Sequence, residues 1–482
     1  MEHLDVLIVG AGLSGIAAAY HLQEQCPTRS YAIVEARAAM GGTWDLFRYP
    51  GIRSDSDMYT LGYSFRPWKE QKAIADGASI LRYVQETAAE FGIDRKIRYN
   101  HKVVSADWFS ELGHWVVGIE RTDTGERTEL SCGFVMMCVG YYDYDEGYTP
   151  EFPNVERFRG QVVHPQQWPE DLDYAGKRVV VIGSGATAVT LVPELARDAA
   201  HVVMLQRSPT YVVSLPAVDP VAQTLRKGLP QQAAYRAVRM KNVLVGMGTY
   251  GFCKAFPNAA RKVITKQVDR MVGDAVDVGT HFSPTYDPWD QRLCLVPDGD
   301  LFRTLRSGRA EVVTDRIAEF TEDGLRLESG RTLDADVVVT ATGLKLKFLA
   351  GLSIRVDDEP VVPAQCLPYK GVMLSGVPNL GMAFGYTNAS WTLKCDMACA
   401  WVCRLLNHMD REGVNVVTPD ADPGVERVPL VDFSSGYFQR SMHELPQQGA
   451  RGPWKVHQNY FKDMVLFRGR PIADEGLTFR RV

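Results

Sequence analysis

Two glycine-rich turns in this 482-residue sequence have the residue types and spacing to hold phosphates. The first, Gly10-Ala-Gly12-Leu-Ser14-Gly15, follows the apolar run LDVLIVG, so a buried strand, a tight turn and a helix are expected in succession. In such a turn the first glycine permits the bend, the second lets backbone approach a pyrophosphate, and the third permits close packing of helix on strand. The helix N-terminus then faces the phosphates. A second apolar run, SYAIVE, ends at Glu35, twenty-five residues after Gly10, where a carboxylate can accept hydrogen bonds from a ribose diol. An acid there suits an adenosine without a 2′-phosphate.

The pattern recurs at RVVVIG and Gly183-Ser184-Gly185-Ala186-Thr187-Ala188, followed by the strand-like run HVVMLQ. Here the chemistry changes. The run ends in Gln206-Arg207-Ser208, whose guanidinium and hydroxyl suit the 2′-phosphate of NADP. The plainer account of Arg207 is a solvated residue after a strand. Two such sites in one chain predict a resident dinucleotide, FAD, and a hydride donor, NADPH.

Those sites must be positioned by an α/β fold with two Rossmann-like dinucleotide-binding domains. A third strand-like segment, DADVVVTATG, ends in Ala341-Thr342-Gly343 and resembles the crossover back to the flavin domain in two-dinucleotide flavoproteins. The FAD domain is thus expected to be split between residues 1–140 and 340–482, with the NADP domain at 141–339. Residues 217–280 lack a strand pattern and carry helix-like runs broken by Pro220, Pro230 and Pro257, as in a helical insertion reaching about residue 285. With ten Lys or Arg and four Asp it is locally basic. A solvated lid face is the simplest account, and peripheral contact with an anionic membrane is the alternative.

A net charge of −5 with 45% apolar residues gives no pull toward nucleic acid. The first apolar run contains Asp5 and has no basic flank, which excludes a signal peptide, and no apolar stretch is long enough to span a bilayer. Nine scattered cysteines without a C-x-x-C pair suit a reducing, cytoplasmic setting. Cys395, Cys399 and Cys403 share one helical face and read as small packing residues, so no metal is expected.

Residues 41–55, GGTWDLFRYPGIRSD, and 158–169, FRGQVVHPQQWP, resemble the two fingerprints of Baeyer–Villiger monooxygenases within the flavin monooxygenase superfamily. The terminal Trp168-Pro169 separates the second from the related N- and S-oxidising enzymes. The likeness runs along the whole chain, through PWDQRLCLVP and GYTNASWTLK. It implies FAD, NADPH and O2, conversion of ketones to esters or lactones, and oxidation of thioethers and thioamides, through an oxygen adduct at flavin C4a. It also implies an active-site arginine at Arg292, an acid that orients it at Asp55, and further FAD contacts at Gly42, Thr43, Trp44, Asp55, Tyr59 and Val104. A guanidinium suits stabilisation of anionic oxygen in a dry site. Helix capping is the alternative for Asp55, because Ser54-Asp55-Ser56-Asp57 is rich in helix-starting residues. Gln291 stands where many members carry a lysine, leaving NADPH selectivity to Arg207 and Ser208 and making it less extreme. His164 is expected to be structural. The rivals are a flavin disulfide reductase, for which no cysteine pair follows Gly41-Gly42, a simple NADPH-dependent flavin reductase or oxidase, and a flavin-binding redox sensor.

Overall fold

The computed structural model describes residues 1–431 and 434–482. Strand Glu2–Val9 lies between Tyr31–Val34 and Arg127–Met137, parallel to both. Such strands are covered on both faces and so read as unbroken apolar runs; Val6, Leu7, Ile8 and Val9 are all buried. Helix Leu13–Gln25 makes the crossover between the first two strands. A meander of His101–Phe109, His114–Arg121 and Arg127–Met137 extends the sheet, Ser353–Val356 adds parallel to His101–Phe109, and Leu380–Met382 adds parallel to Arg127–Met137. Segments from both sides of the 141–339 stretch therefore share one sheet.

The second sheet is wholly parallel, in the order Ala310–Thr314, His201–Gln206, Arg178–Ile182, Val337–Thr340, Gln161–Val163. Helix Ala186–Leu195 packs on it. The chain passes between the sheets through Tyr142–Gly147 and Leu344–Leu346, which pair antiparallel. His164 is set against both connectors. Its Nε2 lies 3.2 Å from the Gly343 carbonyl, and a Cβ on Gly147 would fall 1.9 Å from its ring. Burial lowers the His164 pKa, so the imidazole is held neutral at this junction. Trp168 packs edge-on against Tyr174.

Helix Trp391–Glu412 lies on helix Leu13–Gln25, with the Cys399 thiol 3.9 Å from the Ser14 carbonyl. Cys395, Cys399 and Cys403 are buried, and their small side chains at every fourth position let the two helices approach. Among the described residues no group of His, Cys, Asp and Glu is arranged to hold a metal ion.

The insertion comprises helices Pro220–Gly228, Gln231–Ala255 and Pro257–Val272, carried between the parallel strands Val212–Leu215 and Cys294–Pro297. It is anchored on the first unit: Arg239 donates to the Tyr59 and Gly62 carbonyls at 2.7 Å each, and the Tyr235 hydroxyl donates to the Tyr63 carbonyl at 2.8 Å. Its cations are partly neutralised by Lys241–Asp219, Lys254–Asp290 and Arg261–Asp287 pairs. Among the described residues no helix is long and apolar enough to cross a membrane.

Candidate active site

A cleft of about 1170 Å³ opens at the C-terminal ends of the parallel strands of both sheets. This is where open α/β sheets bind ligands, because helix N-termini and loop amides converge there. Gly10, Gly12, Ser14 and Glu35 line one end. Gly10 has φ +101°, and a Cβ on it would meet the Cys138 carbonyl oxygen at 2.7 Å. Gly15 faces away from the cleft, where a Cβ would lie 1.9 Å from the Gly10 carbonyl oxygen; it is the packing glycine of the turn. Helix Leu13–Gln25 starts at Gly12 with no side-chain cap, which leaves its first amides for an anion. Glu35 is buried at the cleft wall. Its carboxylate accepts the Ala11 amide at 2.7 Å and the Arg37 amide at 3.0 Å, so the residue that would meet a ribose also fixes the turn. Burial pushes the Glu35 pKa up, opposed by those amides. These residues fit the adenosine and pyrophosphate of FAD.

Gly183, Ser184, Gly185, Ala186 and Thr187 line the other end with Arg207 and Ser208. A Cβ on Gly183, at φ +141°, would sit 2.3 Å from the Ala341 carbonyl oxygen, whereas one on Gly185 would meet nothing within 4 Å. The Ser184 hydroxyl lies 2.7 Å from that of Thr210. Ala188 is buried below the turn, in the helix core. Gln206 is also buried, bonded to the His281 carbonyl and the Thr314 hydroxyl at 2.8 Å each, so Arg207 and Ser208 are the exposed pair. The turn and its two polar neighbours fit the phosphates of NADP.

Between the two ends, Arg292 Nη1 donates to Asp55 Oδ2 at 2.8 Å, and its Nε donates to the Thr387 carbonyl at 3.4 Å. About a third of each paired side chain stays open to the cleft, 32% for Arg292 and 34% for Asp55. Asp55 first, then the phenols of Tyr141, Tyr437 and Tyr142, raise the Arg292 pKa well above its ordinary value against the opposing effect of burial. The guanidinium is thus permanently charged. The cap of helix Met58–Leu61 is Asp57, which accepts the Tyr59 and Thr60 amides, so Asp55 is left for Arg292.

The segment that carries Asp55 owes its place to the Tyr49-Pro50-Gly51 motif. Phe47 and Tyr49 are buried in the core of the second sheet. Gly51, at φ +75°, brings its backbone against Glu194 and Thr190 of helix Ala186–Leu195, and Arg53 pairs with Asp300. One loop of the first unit is therefore clamped on the second, and its end presents the acid to Arg292.

Gly42, Thr43, Trp44 and Asp55 line the cleft as expected, but Tyr59 and Val104, like Gly15 and Ala188, do not. Tyr59 is buried, tilted against Tyr235 and covered by Arg226 of the insertion. Val104 sits at a register shift in strand His101–Phe109; Lys102 and Val103 face the cleft, while the Val104 side chain turns toward Gly118. Conversely, Tyr141, Tyr142, Tyr144, Tyr437 and Arg440 line the cleft although the sequence reading passed over them. The Tyr141 and Tyr142 hydroxyls are 3.1 Å apart, and Tyr144 reaches Thr43 at 3.3 Å. The signal for the first three was available: an aromatic run directly after a strand-ending glycine, Gly140, points to a cleft wall. Trp391 closes the same wall, its ring centroid 4.8 Å from that of Tyr141 and its Nε1 3.3 Å from the Ser14 hydroxyl.

A family model described as flavin-binding monooxygenase-like matches residues 5–362. The chain belongs to this family. This flavin-binding monooxygenase is 56% identical over 483 residues to the FAD-containing monooxygenase EthA of Mycobacterium tuberculosis, covering 100% of this chain and 98% of the relative. Among solved structures it is similar to an oxidised steroid monooxygenase bound to NADP, with a TM-score of 0.78 at 25% identity over 100% of both chains. Its fold also matches cyclohexanone monooxygenase in an open state, at a TM-score of 0.76 and 21% identity over 100% of both chains.

Proposed function

We propose that this flavin-binding monooxygenase uses FAD, NADPH and O2 to insert one oxygen atom into a small ketone, giving an ester or lactone, or onto the sulfur of a thioether or thioamide. The observation that carries the reading is the Arg292–Asp55 pair, held 2.8 Å apart between two phosphate-binding turns. When bound, FAD supplies the redox chemistry, accepting hydride and activating oxygen. The chain supplies the rest. The Gly10–Gly15 turn and Glu35 hold one dinucleotide, and the Gly183–Ala188 turn with Arg207 and Ser208 holds the other. Asp55 keeps the Arg292 guanidinium in one orientation, and Arg292 offers fixed positive charge to oxygen that becomes negative as a substrate carbonyl is attacked. The wall of Tyr141, Tyr142, Tyr437 and Trp391 displaces water, which strengthens that charge interaction. Oxidation of NADPH in the presence of a ketone or thioether should give oxygenated product in near-equal amount. Hydrogen peroxide as the main product would reassign the chain as an oxidase.

The insertion supports a second, additional reading, peripheral contact with an anionic membrane. Val245 is 59% exposed, Phe256 61% and Val263 62%, and Lys262 and Lys266 lie on the same helix as Val263. Co-sedimentation with anionic but not neutral vesicles is expected, and Phe256→Ser should weaken it. Equal recovery in the supernatant with both vesicles would leave the insertion a solvated lid.

A further inference from the structure

The same end of the cleft contains a second arginine, Arg316, which follows the end of strand Ala310–Thr314 as Arg207 follows the end of strand His201–Gln206. Strand Ala310–Thr314 runs parallel to His201–Gln206 with Thr314 opposite Gln206. The two chains leave the sheet together, since the Asp315 amide donates to the Gln206 carbonyl at 3.0 Å. Arg207 and Arg316 therefore start from adjacent strand ends, and both line the cleft beside Ser208 and Thr210. Both are exposed, and among the described residues neither side chain has an ion-pair or hydrogen-bond partner.

The obvious carboxylate is already engaged. Asp315 accepts the Arg316 amide at 2.7 Å and the Ser329 amide at 3.4 Å, so it braces the loop instead of pairing with either guanidinium. Two guanidiniums on neighbouring strand ends repel one another unless an anion lies between them, and a phosphate monoester dianion accepts from both forks at once. A bare ribose diol carries no negative charge to offset a second cation.

We propose that Arg316 is a specificity-determining residue that grips the 2′-phosphate of NADPH together with Arg207. Glu328, whose exposed carboxylate also lines this end, limits the preference by repelling the same phosphate. The proposal rests on the reading of the Gly183–Ala188 turn as a nicotinamide-dinucleotide site. It adds a residue that no glycine fingerprint marks.

The test is titration of the flavin-loaded protein with NADP+ and NAD+, for the wild type, Arg316→Ala and Arg316→Lys, with steady-state rates for NADPH and NADH. Because Arg316 is exposed and its side chain makes no ion pair or hydrogen bond among the described residues, the alanine variant should melt as the wild type does. Its affinity for NADP+ should fall about tenfold at low ionic strength while NAD+ binding is unchanged, as expected for loss of one charged phosphate contact. The kcat/KM ratio of NADPH to NADH should fall by the same factor, the loss should shrink at high salt, and Arg316→Lys should recover part of it. Equal NADP+ affinity in wild type and Arg316→Ala, or parallel loss of NADP+ and NAD+, would overturn the role of Arg316 alone. A wild type that binds neither nucleotide would instead overturn the reading of the turn itself.

Discussion

The two glycine-rich turns share one backbone plan and differ in how closely the rest of the chain surrounds them. Around the first, Glu35 is buried and tied to two backbone amides, Ser14 is buried under Trp391, and a Cβ on Gly12 would meet Gly42 at 3.6 Å. Around the second, Arg207 and Ser208 are exposed and Gly185 faces open space. On the proposed reading, similar turn chemistry serves two purposes. A turn embedded in buried, mutually bonded neighbours retains its ligand, and an open one lets its ligand come and go between catalytic cycles.

The largest effects are expected at a glycine of each turn, one packed and one open. Gly15→Val should abolish flavin retention and cooperative folding, since its Cβ would sit 1.9 Å from the Gly10 carbonyl and neither backbone can yield cheaply. Gly185→Ala should leave flavin content and melting temperature near wild type and raise the KM for NADPH. If flavin absorbance survives the first change and disappears with the second, the assignment of tight and open sites is reversed.

Next in size is the junction between the turns. Arg292→Ala should lower the rate of ester formation about 100- to 1000-fold, the range for removing one group that stabilises an oxyanion, while NADPH consumption continues. Product analysis against NADPH consumed gives the answer, and undiminished product would remove Arg292 from the mechanism. At the open turn, Arg207→Ala should raise the KM for NADPH about 10- to 100-fold with little change for NADH, a loss of roughly 1.5–3 kcal/mol typical of a charged hydrogen bond. Comparable KM increases for both cofactors would assign Arg207 to the turn and not to the 2′-phosphate.

A smaller effect is expected at the connectors between the sheets. His164 has its folded-state pKa lowered from 6.5 by burial, so the unfolded chain binds the proton more readily. That contribution to stability is present above about pH 6.5 and is lost as pH falls through the lowered folded value. The melting temperature should decline in mildly acidic buffer, and His164→Gln should flatten this part of the decline even if it lowers stability at neutral pH. An unchanged slope would show that other half-buried histidines with lowered pKa, such as His281 and His457, account for it.

Both glycine turns, the acid after the first and the arginine after the second were legible in the sequence, because each is a local demand of backbone conformation and hydrogen bonding within a few tens of residues. The three-cysteine stripe was legible for the same reason: helical periodicity puts those residues on one face whatever lies opposite. Pairing Arg292 with Asp55 across 237 residues was reached only through resemblance to a family, since no local pattern relates the two. Tyr59 and Val104 lie beside residues that line the cleft, Leu61 and Val103, yet a helical insertion covers one and a strand irregularity rotates the other.

Legible from local sequence are therefore the two glycine turns, the acid after one and the arginine after the other, which follow from φ angles, apolar periodicity and charge at strand ends. Long-range packing sets the rest: the Tyr49–Asp55 loop clamps one unit on the other, Asp57 and not Asp55 caps its helix, and Tyr141, Tyr437 and Arg316 face the same cleft. Those facts depend on which distant surfaces pack together, and packing is a property of the whole chain that no short window of residues contains.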